Sequence, residues 1–159
     1  VNVEPDLHSW AVGERRNVLD LADVLGVSPE VYLAEPASLV PAPQDYVSRA
    51  PLEEFEQADW ITLHADLMSY VADYAIRKHG ARWNVADDPT APRGYRYVVE
   101  AIGRDGQTRQ LGPLRAVARE IVDLPIEITR MLAGAELTLG LASGVLPATH
   151  SPTGPTTTR

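Results

Sequence analysis

The chain of 159 residues contains no cysteine, which excludes disulfides, thiolate metal sites and thiol nucleophiles and fits a reducing, cytoplasmic setting. Lysine is nearly absent, Lys78 being the only one among 14 basic residues. With abundant alanine, that scarcity suggests a GC-rich bacterial coding bias. No apolar run approaches the ~18 residues that a bilayer-spanning helix needs, so no membrane association is expected. The stretch "VNVEPDLHSW" lacks a basic region followed by an apolar one, so no secretory signal is expected either. Signature motifs are also missing: no G-x-S-x-G, P-loop, G-x-G-x-x-G or HExxH occurs.

What is present is acidic and apolar in ordinary proportion. Hydrophobic residues make up 45% and the formal net charge is −8, which opposes non-specific binding to nucleic acid or anionic lipid. The charge is segregated. Residues 1–92 carry net −10, residues 93–119 carry net +4 through six arginines, and residues 120–159 carry net −2. A basic segment inside an acidic chain suits an anion, an acidic partner or a second copy of the same chain.

Periodicity predicts an α+β fold: a three-stranded antiparallel meander packed by a long central helix and C-terminal helices, with an N-terminal helical segment. The expected units are an N-terminal helical segment (1–35), a Pro-rich connector (36–51), an α+β core domain (52–142) and a disordered tail (143–159). In the first unit, "ERRNVLDLADVL" reads as a helix over 14–25 stopped by Gly26, and "SPEVYLAE" as a short helix capped by Ser28. Four prolines in residues 36–51 predict irregular backbone.

The longest helix is expected from Asp59, as N-cap, to His79. Trp60, Leu63, Leu67, Tyr70, Val71 and Tyr74 form its inward stripe. Thr62, Asp66, Ser69, Asp73 and Arg77 form a solvated face with an Asp73–Arg77 pair. Arg77, Lys78 and His79 oppose the helix dipole and Gly80 supplies the positive-φ stop. "RWNVAD", "YRYVVEAI" and "QTRQL" read as strands, the last two joined by "GRDG". "PLRAVAREIVDL" is an amphipathic helix with Leu114, Val117, Ile121 and Leu124 inward, followed by a second helix. "ELTLGL" alternates with period two and leaves helix or strand open for residues 136–141.

Four constellations bear on chemistry. "LADVLGVSPEVYL" resembles the core of a phage-repressor helix-turn-helix, but the helix that would enter DNA, "PEVYLAE", has two acids and no base, so no nucleic acid is expected. His64 and Asp66 lie about 200° apart on a helix, and the four histidines are scattered, so no metal or other cofactor is expected. The best catalytic grouping would be His64, Asp59, Tyr70 and Arg96, each with a simpler structural use, and no catalytic residue is assigned.

The aromatic set is half-polar, as suits interfaces and grooves. Trp83, Tyr95 and Tyr97 with Arg93, Arg96, Arg104 and Arg109 are the candidate partner- or ligand-binding residues. The expectation is a non-catalytic protein–protein interaction protein: an adaptor, an immunity-type inhibitor or a subunit of a larger assembly, with a protein partner or itself. The alternative is a small-molecule-binding domain or small enzyme using a Tyr/Trp/Arg-lined groove over the sheet.

Overall fold

The computed structural model describes residues 5–142. The expected tail at 143–159 lies outside the described residues. In order, the chain forms α1 (Leu7–Val24), α2 (Pro29–Ala34), a 3-10 turn (Pro36–Leu39), α3 (Pro41–Arg49), a second 3-10 turn (Leu52–Glu54), α4 (Gln57–His79), β1 (Arg82–Asp87), β2 (Tyr95–Ile102), β3 (Thr108–Leu111), α5 (Pro113–Val122) and α6 (Ile128–Thr138). The strands form one antiparallel sheet in the order β1-β2-β3, with Trp83 opposite Val99 and Val99 opposite Leu111. This is the expected α+β meander with helices.

Some local expectations need correction, and the choice left open at residues 136–141 is decided. Helix α1 starts two turns earlier than residue 14, because the Asp6 side chain accepts the Ser9 N–H at 3.0 Å as an N-cap. Residues 36–51 are mostly helical, not irregular. Pro36 and Pro41 sit in first turns, where the missing N–H has no helical partner to lose. Residues 136–141 do not form a strand: α6 runs through Thr138, and Gly140 turns the chain with φ +69°.

Helix α4 lies at the centre. Its cap is Glu56, not Asp59. Asp59 sits at N3 and its Oδ2 accepts the Glu56 N–H at 2.9 Å, completing a capping box. The helix ends as its sequence predicts, at Gly80 with φ +70°.

The expected solvated face of α4 is covered by α1 from Asp66 to Asp73, while Thr62 stays exposed. Ser69 and Asp73 are 1% and 5% exposed. The reason is polar complementarity. Ser69 donates to Glu14 at 2.6 Å, and Asn17 donates to Ser69 at 2.8 Å and to Asp66 at 3.4 Å. Asp73 accepts from the Tyr32 hydroxyl of α2 and from Arg77 Nε at 2.9 Å, with Arg15 Nε at 3.6 Å. A polar stripe can therefore be buried when the helix facing it brings matching donors and acceptors.

The other stripe of α4 joins one apolar cluster that includes Val18, Tyr32, Leu39, Tyr70, Trp83, Val99, Val117 and Leu132. The N-terminal helices and the sheet thus share a core. Helix α5 keeps Val117 and Ile121 on the core as expected, but Leu114 is 54% exposed, Leu124 lies past the helix end at 55%, and Glu120 also faces inward. Burial of Glu120 follows from Arg130 of α6, whose Nε and Nη2 donate to it at 3.0 and 2.7 Å, while the Glu127 N–H donates at 2.9 Å.

Candidate functional site

The arginines of the basic segment separate into two kinds. Arg104 and Arg109 are engaged within the fold. Arg109 pairs with Asp105 in the β2–β3 turn, Nη1 to Oδ1 at 2.8 Å, which holds the Asp105 carboxyl well below the usual carboxylate range. Its guanidinium lies in a glycine cradle: a Cβ on Gly140 would fall 2.4 Å from Nη1. Arg104 Nε donates to the Leu141 carbonyl at 3.2 Å, and its backbone N–H donates to the Gly140 carbonyl at 2.9 Å. Both residues fasten the hairpin tip to the end of α6.

Arg96 and Arg115 stand differently. At the start of β2, Arg96 Nε lies 3.4 Å from Asp88 Oδ2, and Arg115 Nη2 of α5 lies 3.9 Å from the same oxygen. Asp88 accepts the Thr90 hydroxyl at 2.6 Å and the Thr90 N–H at 3.0 Å through its other oxygen. Those bonds, then the two cations, hold its carboxyl below the ordinary range. Two guanidinium groups therefore share one carboxylate oxygen. Arg93 is exposed in the β1–β2 turn.

Beside these cations stands an aromatic stack. Trp10 of α1 lies face to face with Tyr97, centroids 4.1 Å apart at 6°, and edge-on to Trp83 at 5.6 Å. Tyr95 meets Tyr97 edge-on at 5.7 Å. Trp10 was not legible as part of the set, because it precedes the expected start of the first helix. Trp10 Nε1 and Arg96 Nε are buried without a hydrogen-bond partner among the described residues.

Two cavities adjoin at Arg96, Gly112 and Arg115. One, of about 270 Å³, is walled by Trp10, Met68, Tyr97 and Leu114. The other, of about 400 Å³, lies between α5, α6 and β3 and is bordered also by Arg119, Arg130 and Gln110, with Glu120 and Asp123. Gly112 allows the close approach: a Cβ there would fall 2.8 Å from Arg96 Nη1.

On another part of the surface, α1, the end of α4 and β1 bound an open groove of about 870 Å³. Its walls are Leu7, Ala11, Val12, Leu19, Ile76, Ala81 and Trp83. Its rim carries His8, Arg15, Arg16 and Arg82, and Asp73 also lines it. Of the candidate aromatics, Trp83 thus lines the groove, Tyr97 lines the smaller cavity and Tyr95 is half-buried beside it.

The catalytic grouping considered from sequence has other engagements. His64 Nδ1 is 2.8 Å from the Trp60 carbonyl, Tyr70 donates to the Pro36 carbonyl at 2.9 Å, and Asp59 serves the capping box. Among the described residues, no helix is long and apolar enough to cross a membrane. The helix-turn-helix echo has a packing role, since α2 has six residues and its Tyr32 is fully buried on Asp73. Comparison with known proteins finds no matching family model, no matching curated protein and no matching solved structure.

Proposed function

We propose that the protein is a non-catalytic interaction protein, and that the groove between α1 and β1 receives an acidic amphipathic helix of a protein partner. The observation that carries this reading is the groove itself: an open, mainly apolar groove with three arginines on its rim, in a chain whose net charge is −8. An amphipathic helix buries its apolar face in such a trough and reads as anchors at i, i+3, i+4 and i+7. Acids flanking those anchors would meet Arg15, Arg16 and Arg82. Val12, 46% exposed, lies on the groove wall as an unpartnered apolar contact. Rim charges of this kind set association rate and salt dependence, while the apolar wall supplies affinity.

The non-catalytic part of the reading is supported by the structural engagement of these side chains: His64 and Arg77 bond within α4, while Tyr70 and Asp73 tie α4 to Pro36 and to Tyr32 of α2. The test places a photo-reactive amino acid at Val12, and separately at Val122 on the exposed face of α5, in the source cell. The Val12 adduct should map to a segment with an apolar helical stripe and flanking acids, and Arg16→Glu should weaken it. Identical adducts from both positions, or a cross-linked segment without that pattern, would refute the reading. Adducts to a second copy of the chain would assign the groove to self-association instead.

A further inference from the structure

We infer that the paired cavities at the start of α5 form a binding site for a small organic oxyanion, a phosphomonoester or carboxylate carried on a planar or apolar group. The site shares no residue with the groove, so it stands or falls apart from the docking reading.

The larger chamber is the anion end. Arg115 and Arg119 are four residues apart on α5 and border it together, with Arg96 from β2 and Arg130 from α6. Of these, Arg130 is committed to Glu120 through Nε and Nη2, and Arg96 and Arg115 share Asp88 Oδ2 at 3.4 and 3.9 Å. Arg119 is exposed, and the Arg115 side chain is 68% exposed. Two guanidinium groups in one concavity thus keep donors available, and guanidinium geometry favours the paired oxygens of carboxylate and phosphate. Asp88 offsets one positive charge and Asp123, which borders the same chamber, a second, so Arg96, Arg115 and Arg119 leave an excess of one positive charge, which favours an anion.

The smaller chamber is the apolar end. Its Trp10–Tyr97 stack, Met68 and Leu114 offer ring faces and a thioether to a planar or aliphatic body. The two chambers meet at Gly112, and together their volumes, about 270 and about 400 Å³, fall within the range of small-molecule sites. Trp10 Nε1–H, which has no hydrogen-bond partner, and Arg96 Nε–H, which is within ion-pair distance of Asp88 but makes no hydrogen bond, lie on residues that line this chamber. Both atoms are shielded in this conformation, so they become donors to the occupant only as it parts the side chains around them.

Four probes separate the sources of affinity: inorganic phosphate, phenyl phosphate, benzoate and neutral benzyl alcohol, each titrated at millimolar concentration by amide NMR and tryptophan fluorescence. Phenyl phosphate should bind more tightly than inorganic phosphate and shift Gly112, Leu114 and Arg115, while benzyl alcohol should bind more weakly than benzoate. Arg119→Gln and Arg115→Gln should each raise the phenyl phosphate Kd about tenfold or more, the loss expected when a charge-assisted contact is removed. Arg49→Gln, at an arginine of α3 whose side chain is 80% exposed and outside both chambers, should leave it unchanged. All three sites are exposed, and circular dichroism would verify that each variant is folded. The proposal is overturned if no anion shifts these amides, if all three glutamine variants weaken binding equally, or if the neutral alcohol binds as well as the anions.

Discussion

The buried carboxylate of Asp73 makes a quantitative test of how α1, α2 and α4 are held together. Tyr32 is fully buried, and its hydroxyl donates to Asp73. Burial first, and then the adjacent Asp73 carboxylate, pushes the Tyr32 phenol well above its ordinary range, so the hydroxyl is a proton donor at any physiological pH. Tyr32→Phe removes this donor and keeps the ring, including its place 6.0 Å from the Arg77 guanidinium. Arg77 Nε remains at 2.9 Å and Arg15 at 3.6 Å, so the carboxylate is not orphaned. The expected loss is that of a hydrogen bond to a charged group, about 1.5–3 kcal/mol.

Arg77→Met is the harsher change. It takes the nearer cation from a carboxylate that is 7% exposed and leaves only Arg15, whose side chain is 47% exposed. Breaking a buried pair from one side costs about 3–5 kcal/mol, and the remaining arginine places this case near the lower end. Urea unfolding followed by far-ultraviolet circular dichroism measures both, as a fall in midpoint at constant m. A cycle with Asp73→Asn isolates the pair. Against a neutral amide, Tyr32→Phe should cost only about 0.5–1.5 kcal/mol. A loss for Tyr32→Phe under about 0.5 kcal/mol, below the range for even a neutral bond, or equal losses in both backgrounds, would refute the charge-assisted bond.

Two further outcomes follow from the same packing. Tyr74 is pushed up to about 12 by burial and then by Glu136, and Tyr32 and Tyr70 are raised as well. A raised folded-state value means that the native protein holds the proton more tightly. Stability is therefore complete below the ordinary phenolic value of about 10 and falls as pH rises through the folded values. Phenolate absorbance should show these three rings ionising late and together with unfolding, and early titration of all six tyrosines in the folded protein would contradict their burial. At the hairpin anchor, Gly140→Ala should destabilise more than Gly80→Ala. Both have positive φ, near +70°, but only at Gly140 does a Cβ meet Arg109, at 2.4 Å. The left-handed conformation alone accounts for about 1–2 kcal/mol, and equal losses in urea unfolding would show that the cradle is not needed.

Periodicity made α4, the meander and the Gly80 stop legible, because a long apolar stripe, alternating strands and a positive-φ glycine leave few alternatives. It misassigned the polar stripe of α4. Asp66, Ser69 and Asp73 have the spacing of a solvated face, and only the partner helix reveals that Glu14, Asn17 and Arg15 are there to meet them. The same blindness affected α5: Leu114 had the spacing of core but is exposed, and nothing in the sequence placed Arg130 of another helix against a buried Glu120. Prolines misled over 36–51 for a different reason. Counting them ignores position, and a proline in a first turn starts a helix where one in the middle would end it.

The candidate site shows what a charge count along the chain can carry. Six arginines in residues 93–119 make one basic segment of the sequence. The fold divides them, because Asp105 and the carbonyl of Leu141 capture Arg109 and Arg104, while Asp88 is shared between Arg96 and Arg115. Arg130, from outside the segment, borders the same chamber. What distinguishes an arginine open to an oxyanion is therefore the number of acceptors within its reach, which sequence separation does not encode. Trp10 illustrates the same point for the aromatic wall. It lies 87 residues from the ring it stacks on, and its relation to Tyr97 exists only because α1 is capped at Asp6 and packs against the sheet at β1. Extending the helix back to that cap brings an indole to the arginines, and with it a site that can hold both ends of an amphipathic anion.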